Sequence, residues 1–195
     1  MTPFPKLLYQ DDPLTGDYRF FQLGCVVDDL LAAAGRWIDL FGVGPFHVLP
    51  RRRQTYLYRG VPTEIDMQVA LVQCGPVLME LIQQFDDGPS AFREMFGEGE
   101  QGLHHVCTVT ADYDGTVSRY ASRGYEVIGE FGGANRACYI DTRKDFGFLC
   151  EVVERSDPFM GHVARIAETC ANWQGEDPIR LLTRDGYRTP DPATA

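Results

Sequence analysis

The sequence has no excess of positive charge. Its 195 residues include 18 lysines and arginines against 28 aspartates and glutamates, so the formal net charge at pH 7 is −10. Nucleic acids and anionic membranes are bound through basic surfaces, so this composition argues against both kinds of partner. The one basic cluster, at residues 51–53, is too short to change that balance.

Long apolar runs and closely spaced cysteines are also missing. No stretch approaches the roughly 18 apolar residues of a membrane-spanning helix, and the first ten residues lack the apolar segment of a signal peptide. The six cysteines are never closer than twelve positions apart, so the CxxC motif of zinc and redox sites is not present. These absences predict a cytoplasmic protein whose thiols are reduced and buried as small apolar groups.

The remaining composition is that of a globular protein. Hydrophobic residues make up 44% of the chain and charged residues 24%, close to the averages for proteins with a packed core. A length of 195 residues fits one domain, or two small modules that share a core. The order of the predicted elements decides between these two arrangements.

A pattern of strand, helix and three strands occurs twice. In the first copy, a strand at 18–27 precedes a helix that is capped by Asp28 or Asp29 and is stopped by the glycines and proline that follow it. After a variable stretch, two apolar runs separated by a Cys-Gly-Pro turn predict a hairpin of strands 64–73 and 77–84.

The second copy repeats this order after a linker with one short helix. It starts with a strand at 103–110 and a helix capped by Asp112 or Asp114, and continues with strands at 125–131, 136–141 and 146–154. We therefore predict an α+β fold of two tandem βαβββ modules, residues 18–88 and 102–156, whose sheets form one curved surface around a shared concavity. Residues 157–195 follow as a C-terminal extension, with helices at 162–173 and near 178–183 and a proline-rich tail.

A polar residue stands inside an apolar strand at four repeat-equivalent places. Gln22 and His105 lie in the first strands of the two modules, and Glu80 and Glu151 lie in the last strands. A carboxylate among apolar neighbours is costly unless a positive partner is present. A divalent cation bound by Gln22, Glu80, His105 and Glu151 would explain all four residues. Nitrogen and oxygen ligands without thiolate favour Zn, Ni, Co, Mn or Fe.

Each of these residues also has a structural explanation when taken alone. His105 is compatible with a core histidine bonded to the backbone, Gln22 with a capping amide, and either glutamate with an ion pair to an arginine such as Arg136. His104 is expected on the opposite face of the strand from His105 and in a structural role, because successive side chains of a strand alternate between faces.

The same motifs resemble the vicinal oxygen chelate superfamily over about residues 18–154. The pieces that carry the resemblance are Gly-Leu-His-His-Val at 102–106, Met-Glu-Leu-Ile at 79–82 and Phe-Leu-Cys-Glu-Val-Val at 148–153. The superfamily includes glyoxalase I, methylmalonyl-CoA epimerase, extradiol dioxygenases and antibiotic-resistance binding proteins. Many members begin with a histidine where this chain has Gln22, whereas glyoxalase I of the eukaryotic type uses a Gln/Glu/His/Glu set.

The resemblance implies the glyoxalase/bleomycin-resistance/dioxygenase fold and a metal-dependent isomerase, epimerase or lyase that acts on a small carbonyl or thioester substrate. The metal would stabilise the enolate that forms when a proton leaves the carbon next to the carbonyl. Glu80 or Glu151 would act as the general base. A metal-free binding protein of the bleomycin-resistance type is one alternative. An extradiol-type dioxygenase is the other, although Gln22 replaces the first histidine of its usual metal triad.

Candidate substrate contacts follow from the two-residue period of strands. If the polar face of the first hairpin strand lines the concavity, then Glu64, Asp66 and Gln68 bind substrate, and the same reasoning in the second module offers Tyr139 and Asp141. A solvated outer face is the alternative for the polar residues of the hairpin.

Two further predictions concern partners. The arginines at 51–53 suit an anionic substrate such as a CoA or glutathione conjugate, although such a run is more often a solvated loop. Paired-module members of the superfamily often dimerise, so the resemblance implies a possible homodimer.

Overall fold

The computed structural model describes residues 20–133 and 135–189. In these ranges the strands are β1 (Phe20–Val26), β2 (Phe46–Val48), β3 (Arg52–Tyr58), β4 (Val61–Cys74), β5 (Val77–Gln84), β6 (Gly102–Thr110), β7 (Val127–Phe131), β8 (Ala137–Ile140), β9 (Leu149–Glu154), β10 (Ile179–Thr183) and β11 (Gly186–Arg188). The helices are α1 (Leu30–Phe41), α2 (Ala91–Met95), α3 (Tyr113–Ala121), α4 (Arg143–Phe146) and α5 (Asp157–Asn172). The predicted start of the first strand, at 18–19, and the end of the predicted tail, at 190–195, lie outside the described residues. In the described residues, the structure contains no helix with the length and apolarity needed to cross a membrane.

Eight of the strands close on themselves around one interior. Their order around this barrel is β1, β5, β4, β3, β7, β8, β9 and β6, and β6 pairs with β1 again. In each module the first strand runs parallel to the last, β1 beside β5 and β6 beside β9. The predicted α+β fold of two βαβββ modules around a shared concavity is confirmed, while the module limits 18–88 and 102–156 stay predictions.

The two modules meet along two antiparallel seams on opposite sides of the barrel. The β1–β6 seam is long and runs from Phe20 opposite Thr108 to Val26 opposite Gly102. The β3–β7 seam is short, and its pairs are Leu57 with Glu130 and Tyr58 with Gly129. The candidate ligands lie on the long seam and on the strands beside it.

Local sequence determines where the first helices of the modules begin and end. The carboxylate of Asp29 accepts a hydrogen bond from the backbone N–H of Ala32 (2.9 Å), and Asp112 caps α3 in the same way through Gly115 (3.0 Å). Gly42 ends α1 with a φ of 64°, a left-handed conformation that glycine adopts without strain. Both predicted helices and the predicted β4–β5 hairpin are confirmed.

The helix predicted near 178–183 is wrong. This segment forms strand β10, which pairs in parallel with β2, so that Ile179 lies opposite Phe46 and Leu181 opposite Val48. The short segment is too small to form a stable helix alone, whereas the edge of the sheet offers it backbone hydrogen bonds and apolar contacts.

Two other element limits differ from the predictions. Residues 143–146 form the single turn α4, so β9 begins at Leu149 and not at residue 146. Helix α5 begins at Asp157 and not at residue 162, because Ser156 caps it by accepting a hydrogen bond from the backbone N–H of Phe159 (3.3 Å).

Helix α5 covers one end of the concave face. Its buried residues Val163 and Ile166 pack with Leu71 and Leu78 of the first module and with Val153 of the second. Burial of one aliphatic side chain stabilises a fold by roughly 1.5–3 kcal/mol. This helix of the C-terminal extension is therefore part of the core.

A network of ion pairs ties the linker between the modules to both of them. Glu94 on α2 accepts hydrogen bonds from the guanidinium groups of Arg59 (2.7 Å) and Arg143 (2.6 Å) and from the hydroxyl of Tyr58 (2.7 Å). Burial would raise the pKa of Glu94, but these donors lower it to about 2.

We expect Glu94→Gln to lower the free energy of unfolding at pH 7 by about 2 kcal/mol, because charge-assisted hydrogen bonds are lost. The pKa of Glu94 in the folded protein lies below the ordinary value of 4.5, so its contribution is complete above that pH and is lost as the pH falls toward 2. Urea unfolding at pH 7 and pH 3 measures this effect, and the two proteins should differ less at pH 3. Glu98→Gln makes the same charge change on an exposed turn and serves as the control. An equal loss in both variants would contradict the role given to the network.

Candidate metal centre

Four neighbouring strands of the barrel bring the predicted ligands together. Around the barrel their order is β5, β1, β6 and β9, and they carry Glu80, Gln22, His105 and Glu151 respectively. Gly24 of β1 lies opposite Glu80 on one side and opposite His105 on the other. Residues that are far apart in sequence therefore meet across the long seam between the modules.

The imidazole of His105 lies between two carboxylates. Its Nε2 is 3.4 Å from Oε2 of Glu80 and 3.3 Å from Oε2 of Glu151. One ligand atom from each of the three residues lies within 4.8 Å of the other two. The His105 side chain is fully buried, and the exposed fractions of the Glu80 and Glu151 side chains are 15% and 9%.

The three groups perturb one another strongly. Burial raises the pKa of Glu80 and the charge of Glu151 adds to this effect, while His105 and Gln22 oppose it. Burial would also raise the pKa of Glu151, but His105 lowers the pKa of that carboxyl below its usual value. Burial would lower the pKa of His105, and the two carboxylates raise it to about 9 instead. Two buried carboxylates require a positive neighbour, which is either the protonated imidazole or a bound cation.

Two further side chains lie beside Glu151. Tyr139 on β8 lies directly opposite it, and Cys107 on β6 lies beside it in the parallel pair. Both side chains lower the pKa of the Glu151 carboxyl, as His105 does, whereas Gln22 is the further side chain that lowers the pKa of Glu80. The charged form of Glu151 is consequently the better stabilised of the two carboxylates.

A glycine in β1 provides the space for the imidazole. A Cβ on Gly24 would lie 1.9 Å from Cε1 of His105 and 2.3 Å from its Nε2, far inside van der Waals contact. Glycine weakens a strand, and its presence there often marks a close approach by another group. The glycine is visible in the sequence, but its partner can be identified only from the strand register.

A β-bulge turns His104 toward the interior. Gly24 pairs with His105, and the next residue of β1, Cys25, pairs with Leu103, so His104 is an extra residue in β6. Its Nδ1 lies 3.0 Å from Nδ1 of His105. The prediction that His104 lies on the opposite face is wrong, because the alternation of side chains fails at the bulge.

This contact orients the imidazole of His105. Its Nε2 presents a lone pair to a cation only when its Nδ1 carries the proton, and Nδ1 of His104 then accepts the hydrogen bond. Burial holds the pKa of His104 well below its usual range, so that this ring is a neutral acceptor. The His104 ring is packed between Phe92 (4.8 Å between ring centroids) and Tyr139 (5.1 Å).

A cavity of about 390 Å³ opens onto the two glutamates. This volume lies within the range of small-molecule sites. Its lining combines the two acidic groups with apolar residues and with other polar residues. Its lining residues include Arg52, Met67, Gln68, Val69, Glu80, Ile82, Phe131, Asn135, Tyr139 and Glu151.

Of the three polar residues of β4 that are predicted to line the concavity, only Gln68 lies in the cavity lining. Met67 and Val69 line the cavity, whereas Glu64 is exposed and Asp66 pairs with Arg51 at 2.7 Å on the outer side. The alternation of β4 indicates that one face is apolar, and the apolar face is the one that a barrel buries.

The other candidate substrate contacts divide between the cavity and the surface. Gln68 and Tyr139 line the cavity, although the Gln68 amide also donates a hydrogen bond to the backbone oxygen of Leu49 (2.9 Å). Asp141 accepts a hydrogen bond from Arg143 (2.8 Å) and does not line this cavity. The substrate-binding roles of Gln68 and Tyr139 stay predictions.

Comparison with known proteins identifies the family of this chain. The model of the Glyoxalase/Bleomycin resistance protein/Dioxygenase superfamily matches residues 21–139, which is more than half of the sequence. The chain belongs to this superfamily. It is the vicinal oxygen chelate superfamily that the motifs resemble.

Solved structures share the fold at low sequence identity. A methylmalonyl-CoA epimerase in complex with methylmalonyl-CoA and NH4+ is 18% identical with a TM-score of 0.51, over 71% of this chain and 95% of that chain. A variant of the Streptomyces coelicolor methylmalonyl-CoA epimerase is 18% identical with a TM-score of 0.51, over 71% of this chain and 97% of that chain. A hypothetical protein from Bacillus halodurans is 14% identical with a TM-score of 0.51, over 71% of this chain and 95% of that chain. No curated protein sequence matches the chain. At these sequence identities the similarity shows only that the proteins share a fold.

The donor set fits the divalent metal that the superfamily typically binds. Nε2 of His105 is buried and makes no well-aligned hydrogen bond within the described residues, although both carboxylates are near it. A ring nitrogen and two carboxylate oxygens that converge in this way form a ligand set for a first-row divalent metal.

Gly24→Ala is expected to lower the affinity for a divalent metal by at least about tenfold, because the new methyl group displaces the His105 imidazole. Titration calorimetry with Zn²⁺ or Co²⁺ measures the loss, and circular dichroism checks the fold. Gly35→Ala on α1 is the control, since a Cβ there meets nothing within 4 Å. Unchanged metal affinity in Gly24→Ala would show that the imidazole is not a ligand.

His104→Phe should preserve the packing against Phe92 and remove the hydrogen-bond acceptor for His105. Loss of such an orienting partner typically lowers metal affinity by about 10–100-fold. The same calorimetric titration measures this change, and His104→Gln, which keeps an acceptor, should recover part of the affinity. If both variants bind metal as the wild type does, His104 has only a packing role.

Proposed function

We propose that the chain is a divalent-metal-dependent enzyme that moves a proton at the carbon next to a carbonyl or thioester group of a small substrate, as an isomerase, epimerase or lyase. The observation that carries this proposal is the buried group of Glu80, His105 and Glu151 beside a cavity of about 390 Å³. Membership of the superfamily, and the fold shared with methylmalonyl-CoA epimerases, support this class of reaction.

Gln22, Glu80, His105 and Glu151 would hold the metal from four neighbouring strands of one chain. A divalent cation there supplies Lewis acidity, which makes the proton next to a carbonyl easier to remove. The choice among Zn, Ni, Co, Mn and Fe stays a prediction. The proposed ligands all come from one chain, so neither the predicted homodimer nor the predicted cytoplasmic location is needed for the proposal.

We assign the general base to Glu80 and the role of fixed ligand to Glu151. Cys107 and Tyr139 lie beside Glu151 and lower the pKa of its carboxyl, whereas Glu80 has Gln22 beside it and is the more exposed of the two. A carboxylate with fewer donors and better access to the cavity is better suited to accept a proton and return it.

Part of the cavity lining is apolar. Met67, Val69 and Ile82 line the cavity together with the two glutamates, and apolar groups offer no competing site for a proton. A proton held by Glu80 is then returned to the substrate from the same side. Its return to the neighbouring carbon gives isomerisation, whereas epimerisation requires a second proton donor on the opposite face of the original carbon.

Elemental analysis of protein purified without chelator, followed by deuterium-exchange assays, tests the proposal. We expect stoichiometric divalent metal and chelator-sensitive exchange at the α-carbon of 2-substituted acyl thioesters or of hemithioacetals. Glu80→Gln should retain the metal and lower the exchange rate by at least about 100-fold, the contribution typical of a general base. Glu168→Gln, an exposed position on α5, is the matched control and should exchange at the wild-type rate.

Two other results would revise the proposal. Protein without stoichiometric metal that binds its ligand in the presence of chelator would contradict it and favour the metal-free binding protein. If Glu80→Gln retained deuterium exchange and Glu151→Gln lost it, Glu151 would be the general base and Glu80 the fixed ligand.

A further inference from the structure

Strand register divides the arginines at 51–53 between two faces. Arg51 pairs with Asp66 at 2.7 Å, and Arg53 lies opposite Asp66 in the β3–β4 pair, so both belong to the outer face. Arg52 lies opposite Met67, and both residues line the cavity. The cluster that looks uniform in the sequence therefore contributes one guanidinium to the site.

No carboxylate in residues 20–133 and 135–189 forms an ion pair with Arg52. Five of the other arginines in the same ranges have carboxylate partners at 3.2 Å or less, namely Arg51, Arg59, Arg136, Arg143 and Arg180. The side chain of Arg52 is exposed where it meets the cavity. Its planar fork of N–H donors is consequently available to a ligand.

Asn135 adds a second donor to the cavity lining. Its Oδ1 accepts a hydrogen bond from the hydroxyl of Ser156, and the Ser156 oxygen in turn accepts from the backbone N–H of Phe159 (3.3 Å). This arrangement assigns the carbonyl end of the amide to Ser156. The NH₂ end of Asn135 is left to donate to a ligand in the cavity that this residue lines.

The charges around the cavity favour an anionic ligand. The charged residues among its described lining are Glu80, Glu151 and Arg52. A divalent cation held by the two glutamates would neutralise them, which leaves the Arg52 guanidinium as an uncompensated positive charge. One negative charge on the ligand restores neutrality.

We propose that Arg52 and Asn135 form a carboxylate subsite, and that the substrate carries a carboxylate in addition to its reacting carbonyl or thioester. This inference rests on the proposed function, because it places the reacting end of the substrate at Glu80 and Glu151. A guanidinium binds a carboxylate through two parallel hydrogen bonds, and the Asn135 amide supplies a third donor.

Probes that differ by one carboxylate test the subsite in metal-loaded protein. Acetohydroxamate chelates a divalent ion through two oxygens and has a neutral tail, whereas the monohydroxamates of succinate and glutarate add a carboxylate on tethers of different length. We expect calorimetry to show that the better carboxylated probe binds the wild type at least about tenfold more tightly than acetohydroxamate does.

Arg52→Gln should abolish this preference and leave both the metal content and the affinity for acetohydroxamate unchanged. Arg53→Gln makes the same change of charge on the outer face and should keep the preference, so it controls for the net charge of the protein. Asn135→Asp, which replaces a donor with a negative charge, should weaken only the carboxylated probes.

The outcomes separate this inference from the proposed function. If the wild type has no preference for the carboxylated probes, or if Arg52→Gln and Arg53→Gln reduce it equally, the subsite is overturned and the metal-dependent function stands. If no hydroxamate binds the metal-loaded protein, the proposed function fails and the subsite fails with it.

Discussion

Two carboxylates buried against one imidazole impose the main constraint on this structure. Glu80 and Glu151 cannot both remain charged in the interior without a positive partner, and His105 lies between them at 3.3–3.4 Å. The first module supplies Gln22 and Glu80, and the second supplies His105 and Glu151, so neither module holds a complete ligand set. A cation that binds all four would stabilise the closed barrel, because it binds the joined modules and not the separated chain.

Uncharged groups around the proposed ligands determine where the ligand side chains lie. Gly24 leaves the space that the His105 ring occupies, and the bulge in β6 brings His104 within 3.0 Å of that ring. The charge of His105 lowers the pKa of Glu151, and Cys107 and Tyr139 add to this effect on that carboxyl alone. Neutral neighbours thus contribute to the asymmetry between the two glutamates.

The sequence predicts the ligands better than it predicts their surroundings. Gln22, Glu80, His105 and Glu151 can be recognised because each interrupts an apolar strand at a repeat-equivalent place, and the caps at Asp29 and Asp112 depend on local contacts alone. The orientation of His104 depends on pairing across the seam, and β10 depends on the free edge of β2. The alternation in β4 reveals a polar face but carries no information about which side of the sheet becomes the interior.

The two seams between the modules differ in length. The long β1–β6 seam carries Gln22 and His105, so many backbone pairs fix the positions of these two proposed ligands. On the opposite side, the pairs Leu57–Glu130 and Tyr58–Gly129 join β3 to β7 beside the cavity-lining residue Phe131. Few backbone pairs join the modules on that side. One closed sheet therefore combines a long seam at the proposed ligands with a short seam beside the cavity.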